Sequence, residues 1–331
     1  MSRALIPAAF VEALQDRAAA RLGPATSGLD TATWLRRLPG LIDAALERWD
    51  LRLDDGFGGG GGSPSRYGEC ALVVAVRRRD GTPAALKLTW PHPEARHEHL
   101  ALRAWDGRGA VRLLAAYPAD QALLLERLDA GRDLEDTPIE EACTRIGTLL
   151  AMLDRPALPQ LDTLSAWTRR FVHESAQPDP RLPRRFVEQA RSLAVDLLGD
   201  DLDSRLVHTD LHYANVLAVP ESVVPESGHD VVPGPAAWRA IDPKPMAADP
   251  AFAVWPALHN RWAEAVDDDL AWHLRCRLGW VTDAAGLDED RARAWALIRT
   301  VADARDLLAE PAAGDLLSQR IRLLKALQPD A

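Results

Sequence analysis

Eight consecutive residues offer the clearest chemistry in the chain: His208-Thr209-Asp210-Leu211-His212-Tyr213-Ala214-Asn215, entered from the apolar pair Leu206-Val207. A carboxylate and a carboxamide five positions apart on one tight loop suit phosphoryl transfer. That reaction asks for little covalent help: a base to orient an attacking hydroxyl, and oxygen donors to hold Mg²⁺ on the phosphates. The octapeptide fits the catalytic-loop form His-x-Asp-Leu-x-x-x-Asn. In this reading Asp210 receives the hydroxyl proton and Asn215 ligates Mg²⁺ through its amide oxygen. The alternative is a merely structural turn in which His208 and Asp210 form a buried hydrogen-bonding pair.

A second segment, Trp238-Arg239-Ala240-Ile241-Asp242-Pro243-Lys244-Pro245, is an apolar strand ending in a carboxylate. Shortly after the catalytic loop is where kinases place their main metal-binding aspartate, and a hard oxygen donor suits Mg²⁺. Asp242 is therefore the second expected metal ligand, with the capping of a turn before Pro243 as the plainer role. Lys244 is positioned either to touch a transferred phosphate or to cap a turn. The intervening residues 219–235 repeat Val-Pro-Glu-Ser and add Pro233 and Pro235, a density that forbids a central strand and predicts an exposed insertion at a hairpin tip.

Lys87 is the third candidate. The chain has three lysines (Lys87, Lys244, Lys325) against 36 arginines, so a retained lysine points to a need for a compact ammonium. It lies within an apolar strand, where a buried ammonium requires an anion, either a carboxylate or nucleotide phosphates. The helix that follows offers Glu94 and Glu98. Glu94 would sit in the first turn, favoured by the helix dipole, whereas Glu98 shares a stripe with Leu102 and Trp105 and should face Lys87.

These residues need a frame. Helical periodicity covers residues 5–22 and 31–49. Strands follow at Glu69 to Arg79 and Ala84 to Trp90 around the Asp80-Gly81 turn, then a helix from Pro93 to Trp105 and strands at Val111 to Ala116 and Ala122 to Leu128. Beyond Asp129 long helices dominate. Thr137, Pro138 and Glu140 have the spacing of a capping box, and further helices are expected at 163–176, 183–198, 250–279 with interruptions, 288–309 and 314–327. Strands are expected at Leu206 to Val219 and Trp238 to Ile241. Strands with one helix followed by helices around a hairpin give an α+β, two-lobed architecture: 1–127 as a β-rich nucleotide-binding lobe with N-terminal helices, and 128–331 as a mainly helical catalytic and acceptor-binding lobe.

Composition narrows the function classes. Hydrophobic residues make up 47% of the 331, enough for two cores. A net charge of −10 argues against nucleic acid as the main partner. The charge is uneven: residues 1–127 balance at +2 and residues 128–331 at −12, so the second half is suited to a cationic ligand or simply to solubility. Cys70, Cys143 and Cys276 have no metal or disulfide spacing. The start lacks signal-peptide features and no segment is apolar enough to span a bilayer, so the expectation is a soluble, cytoplasmic protein without an obligatory protein partner. Gly58 to Gly62 satisfy any glycine-loop pattern by repetition, and a strand rather than a helix follows, which excludes a Rossmann loop. There is no Gly-Lys-Ser/Thr, which excludes a P-loop.

The sequence resembles the aminoglycoside phosphotransferase-like kinases, within them the streptomycin 6-kinase and hydroxyurea phosphotransferase branch. The resemblance runs from about 70 to 328 and is carried by HTDLHYANVL (208–217), AIDPKPMAADPAF (240–252), GRGAVRLL (107–114) and LLLERL (123–128). It implies a two-lobed protein-kinase-like fold, ATP with Mg²⁺ as donor and a small hydroxylated acceptor. It carries over Asp210 as base, Asn215 and Asp242 as metal ligands, and Lys87 with Glu98 as a phosphate clamp. The kinase analogy also sets the adenine against backbone groups of Glu126 to Leu128. Family members usually have glycine where Thr209 stands; a side chain pointing outward there would leave the loop intact. Asp249, Trp255, His259, Asn260 and Trp262 follow the metal aspartate and are expected to border the acceptor, near Asp267-Asp268-Asp269. Carboxylates and aromatic faces suit a dicationic guanidinium substrate. The alternatives are core tryptophans at helical spacing and a solvated acidic run.

The leading expectation is an O-phosphotransferase for a streptomycin-like aminoglycoside, inactivating the antibiotic. A metabolic kinase of the same fold for a sugar, amino sugar or other hydroxyl compound is the alternative, and a catalytically silent nucleotide-binding member is a third. Asp242-Pro243-Lys244 in place of Asp-Phe-Gly, with no Ala-Pro-Glu after it, argues against a protein kinase.

Overall fold

The computed structural model describes residues 2–18, 29–57, 63–177, 179–220, 237–266, 269–309 and 313–328. The run Gly58 to Gly62, the acidic residues Asp267 and Asp268, and the proline-rich segment 221–236 lie outside the described residues. In chain order the elements are α1 (Ala8–Ala18), α2 (Thr31–Arg48), β1 (Arg52–Leu53), β2 (Ser65–Tyr67), β3 (Ala71–Arg77), β4 (Pro83–Thr89), α3 (Glu98–Trp105), β5 (Leu113–Tyr117) and β6 (Ala122–Glu126). They continue with α4 (Ile139–Met152), β7 (Arg155–Pro156), α5 (Leu164–Glu174), α6 (Arg184–Leu197), β8 (Arg205–His208), β9 (Val216–Ala218), β10 (Trp238–Ala240) and β11 (Pro245–Ala248). Five helices follow: α7 (Trp255–His259), α8 (Ala263–Val266), α9 (Leu270–Ala285), α10 (Glu289–Leu307) and, last, α11 (Gly314–Ala326).

The chain divides into two compact units, Met1–Arg132 with Leu217–Ile241, and Asp133–Val216 with Asp242–Ala331. The first is built on an antiparallel sheet ordered β1-β3-β4-β6-β5, with β2 also paired to β3, at Leu72 to Val74. Strand alternation explains its core. Ala84, Leu86 and Leu88 of β4, together with Leu72, Val74 and Val76 of β3, share one cluster with the α2 stripe Trp34, Leu38, Ile42 and Ala45. Lys87 therefore lies on the opposite face of β4, between Val73 and Leu123 on the neighbouring strands. Asp30 starts α2 by accepting the Thr33 amide at 2.7 Å.

The hairpin β9–β10 differs from the sequence expectation, which grouped it with the later helices. It goes with the first unit because Asp129 bridges to Ala218 and Ala110 bridges to Ala240.

The second unit has a three-stranded sheet, β11-β8-β7, and the remaining helices. Strands β7 and β11 escaped sequence reading because they have two and four residues and three prolines or charged groups between them. Helices α4 and α9 approach closely at Gly147, where a Cβ would come within 2.4 Å of the Val281 carbonyl oxygen.

Two further expectations change. The helix from Pro93 is not continuous: Pro93–Ala95 forms a single 3₁₀ turn, and α3 starts anew at Glu98 after His97 leaves helical geometry at φ −113° and ψ 10°. The capping box at 137–140 does not form. Pro138, which has no side-chain donor or acceptor, occupies the cap position, and the Thr137 carbonyl accepts from Arg261 Nη1 at 2.7 Å instead.

Candidate active site

In the first unit, Lys87 Nζ donates to Glu98 Oε1 at 2.6 Å, with side-chain exposures of only 5% and 4%. Restarting the helix at Glu98 puts this carboxylate, rather than Glu94, in the first turn, where unpaired amides favour a negative charge. An ammonium fixed this way presents a charge to an anion without the entropy of a free lysine chain.

At the end of β6, Glu126 is bound on both sides: its N–H donates to the Arg112 carbonyl at 3.0 Å and its Oε1 accepts the Arg112 N–H at 2.7 Å. Leu128 is buried. Between them stands Arg127, which sequence reasoning passed over. Its guanidinium donates to the carbonyls of Ala84, Gly56 and Val76, pairs with Asp54 at 3.3 Å and lies 4.9 Å from the centre of the Phe57 ring. Burial pulls its pKa down and Asp54 opposes that shift. Arg127 thereby ties residues 54–57, the stem that leads into the glycine run, to strands β3 and β4.

In the second unit, β8 delivers the candidate loop, residues 208–215. His208 is buried, and its Nδ1 accepts the Asp210 N–H at 3.1 Å, which turns the chain sharply after the strand. The Asn215 amide nitrogen donates to the Asp210 carbonyl at 2.9 Å. A carbonyl can only accept, so this bond makes the amide nitrogen the donor and turns the amide oxygen, the one atom of the group able to bind a cation, away from Asp210 O. Tyr213 anchors the loop from below: its hydroxyl donates to Ala257 O at 2.7 Å and meets Cys143 Sγ at 3.3 Å, and burial raises its pKa well above the ordinary tyrosine value. Burial likewise pushes the Cys143 thiol up to about 11.

Strand β11 begins beside this loop. Lys244 Nζ lies 2.9 Å from Asp210 Oδ2, with exposures of 35% and 24%, so the two expected reactive side chains form one ion pair. Asp242, two residues earlier, adopts the left-handed region at φ +53°, a conformation aspartate tolerates at a modest cost and one that concentrates at functional sites. Thr209 corrects the sequence expectation. Its side chain points inward, not outward: it is buried, and its Oγ1 and N–H both donate to the Lys244 carbonyl, at 2.9 and 3.1 Å. The Thr209 carbonyl in turn accepts from Arg299 Nη1 at 2.9 Å, and the same nitrogen donates to Phe252 O. Arg299 lies 4.5 and 4.6 Å from the Phe252 and Trp255 ring centres, so aromatic faces hold its plane. With 36 arginines in the chain, nothing in composition singled it out.

The expected acceptor residues are spread over structural contacts. Asp249 is buried; it caps the 3₁₀ turn at Ala251, accepts Trp295 Nε1 at 2.9 Å and pairs with Arg291. Trp255 is buried, its Nε1 on Thr300 Oγ1 at 2.9 Å and its ring against His259. Close packing, then the nearby Arg320, pushes His259 well below the ordinary histidine range. Asn260 caps α7 through the Pro256 carbonyl, and Trp262 lies under Arg322 at 5.7 Å. Asp269 caps α9 through the Trp272 N–H. Trp255 answers to the core role that the sequence also allowed, whereas Trp262 is only half-buried.

No group of three His, Cys, Asp or Glu side chains suited to a metal occurs among the described residues. A pair of oxygen donors such as Asn215 and Asp242 nonetheless fits Mg²⁺, an ion bound through few protein ligands with phosphates and water completing its shell. No helix of the described residues is long and apolar enough to cross a membrane.

Residues 64–308 match the family model described as aminoglycoside/hydroxyurea antibiotic resistance kinase. A streptomycin 6-kinase of Streptomyces glaucescens is 36% identical over 84% of this chain and 85% of its own. A hydroxyurea phosphotransferase of Kitasatospora aureofaciens is 39% identical over 80% and 71%. Among solved structures, a choline/ethanolamine kinase family protein from Mesorhizobium loti shares the fold with a TM-score of 0.55 at 15% identity, covering 88% of this chain and 95% of that one. With the family model matched through three quarters of its length and relatives 36–39% identical over most of it, the chain belongs to the aminoglycoside/hydroxyurea antibiotic resistance kinases.

Proposed function

We propose that the protein phosphorylates a hydroxyl of a streptomycin-like aminoglycoside with ATP and Mg²⁺, thereby inactivating the antibiotic. The single observation that carries the reading is the Asp210–Lys244 pair on a loop fixed by His208, Asn215 and Arg299. Bound Mg²⁺ would neutralise charge on the phosphates, and Asn215 and Asp242 would hold it. Asp210 orients the acceptor hydroxyl and takes its proton as the new O–P bond forms and the bond from the γ-phosphorus to the bridging oxygen breaks, releasing ADP. Lys244 holds the Asp210 carboxylate in place and offsets negative charge beside the transferring group. In the first unit, the Lys87 ammonium, steadied by Glu98, engages nucleotide phosphates. Backbone groups of Glu126 to Leu128 receive the adenine.

The acceptor class rests on the streptomycin 6-kinase relatives and on the excess of acidic side chains after residue 127, which suits a guanidinium-bearing cation. An ADP-release assay with MgATP against streptomycin, other aminoglycosides, hydroxyurea and amino sugars tests the proposal, with Asp210→Ala beside each. Streptomycin-dependent turnover that Asp210→Ala abolishes is the expected result. Turnover on an amino sugar alone would overturn the acceptor assignment, and turnover that survives Asp210→Ala would overturn the base.

A further inference from the structure

We infer that Thr209 is a positioning residue whose hydroxyl, through the Lys244 backbone, sets the Lys244 ammonium on Asp210. The inference rests on the kinase reading of Asp210 and adds to it a device outside the reacting groups.

The strands β8 and β11 meet with His208 opposite Pro245, the first residue of β11. Proline has no N–H, so the ladder cannot gain a bond from that nitrogen, and the start of β11 would be held more loosely than an ordinary antiparallel end. Thr209 lies one residue beyond the end of β8 and answers this gap. Its N–H and its hydroxyl both reach the one Lys244 carbonyl, at 3.1 and 2.9 Å. The hydroxyl is buried with the rest of the side chain, so water does not readily replace it. Arg299 fixes the other side of the Thr209 peptide at 2.9 Å, so the threonine is held as well as holding.

The consequence falls on Lys244. A lysine with 35% exposure and four rotatable bonds keeps a 2.9 Å contact only if its own backbone is steady. Pro243 and Pro245 fix their own φ, and Pro245 also confines Lys244 before it to extended backbone, leaving the Lys244 carbonyl as the handle by which the strand is placed. Threonine at 209 grips that handle with one donor more than a residue without a hydroxyl could. Substituting valine keeps the branched shape but sets a methyl group against the carbonyl at hydrogen-bond distance, which pushes the strand away. The carbonyl retains the Thr209 N–H as a partner, so the change displaces Lys244 without stranding a buried polar atom.

The test uses the full chain with MgATP and streptomycin, comparing wild type, Thr209→Ser, Thr209→Val, Lys244→Met and Thr209→Val/Lys244→Met. Thr209→Val is expected to lower kcat by roughly 10-fold with KM for ATP within about twofold, the scale of a modest misplacement at the reacting centre. Thr209→Ser, which keeps the hydroxyl, restores kcat. In the Lys244→Met background Thr209→Val has no further effect, because the group it positions is gone. A second readout needs no turnover: the three lysines give few ¹³C-methyl signals after reductive methylation, and the Lys244 signal should move in Thr209→Val in the direction it moves in Asp210→Asn. Additive losses in the double variant, a Thr209→Ser as slow as Thr209→Val, or an unmoved Lys244 signal would each overturn the inference. Turnover that survives Asp210→Ala would instead sink the underlying kinase reading, whatever Thr209 does.

Discussion

Removing one member of the Lys87–Glu98 pair should cost far more than removing both. Both side chains are about 95% buried and in contact at 2.6 Å, so each neutralises a charge that solvent no longer reaches. Breaking such a pair from one side costs about 3–5 kcal/mol, because the survivor is left charged in a low-dielectric setting. Replacing both with apolar side chains of similar volume is near neutral by the same reasoning. Lys87→Met and Glu98→Leu should therefore each lower the stability of the first unit by about 3–5 kcal/mol, while the double variant lies close to wild type. Additivity would demand a loss of about 6–10 kcal/mol, so the two outcomes differ by more than measurement error. Urea-dependent amide exchange of Leu86 and Leu88 reads the first unit specifically, since both amides belong to β4. The double variant carries the functional test. Wild type at 100 times Kd of MgATP gains about 2.7 kcal/mol by mass action, and the double variant, folded but without its ammonium, should gain almost none. A double variant as unstable as the sum of its parents would refute the coupling, and one that MgATP still stabilises fully would refute the phosphate role.

Other predictions are local. Gly147→Ala should destabilise the second unit by about 1–3 kcal/mol or more in a thermal melt, because the new Cβ meets a backbone oxygen at 2.4 Å rather than a side chain that can turn aside. Arg299→Lys should lower kcat with little change in KM for ATP, since a lysine cannot serve the Thr209 and Phe252 carbonyls while lying flat between two rings; steady-state kinetics decides. Cys143 should resist iodoacetamide at pH 8 while Cys276, partly exposed, reacts first, as peptide mass mapping will report. Because the folded state raises the Cys143 pKa from 9.0 to about 11, the unfolded chain loses that proton first; stability should hold up to about pH 9 and fall between 9 and 11, and Cys143→Ala should flatten part of that fall in urea titrations.

What sequence could reveal depended on whether a signal was local. Lys87 stood out because β4 is buried on both faces and reads as an apolar run broken by one ammonium, and Glu98 because its helical stripe is apolar around it. The loop 208–215 is a contiguous string whose spacing alone suggests its chemistry. The break before α3 was hidden, since Pro93 is as good a start for one 3₁₀ turn as for a whole helix, and the choice depends on packing beyond the segment. Arg127, Arg299 and Thr209 escaped for a related reason. Each acts through backbone carbonyls, and a carbonyl has no letter in a sequence. The acidic and aromatic residues after Asp242 were legible as types, but whether Asp249 faces a ligand or Arg291 and Trp295 is decided by helix α10, more than forty positions away.

The first unit is not finished where its sheet ends. It takes back Leu217–Ile241, after the chain has passed through α4, α5, α6 and β8. During synthesis, then, the β-rich unit lacks its last hairpin until residue 241 has cleared the ribosomal exit, by which point half of the other unit has already emerged. The two units must therefore mature as nested jobs rather than in succession. A truncation at Arg132 would release a nascent chain with Asp129 and Ala110 deprived of their bridging strands. The same interleaving means that exchange of whole lobes between related genes at a single crossover would separate the sheet from its closing hairpin, whereas exchange of residues 221–236 alone would leave the bridges at Asp129 and Ala110 in place.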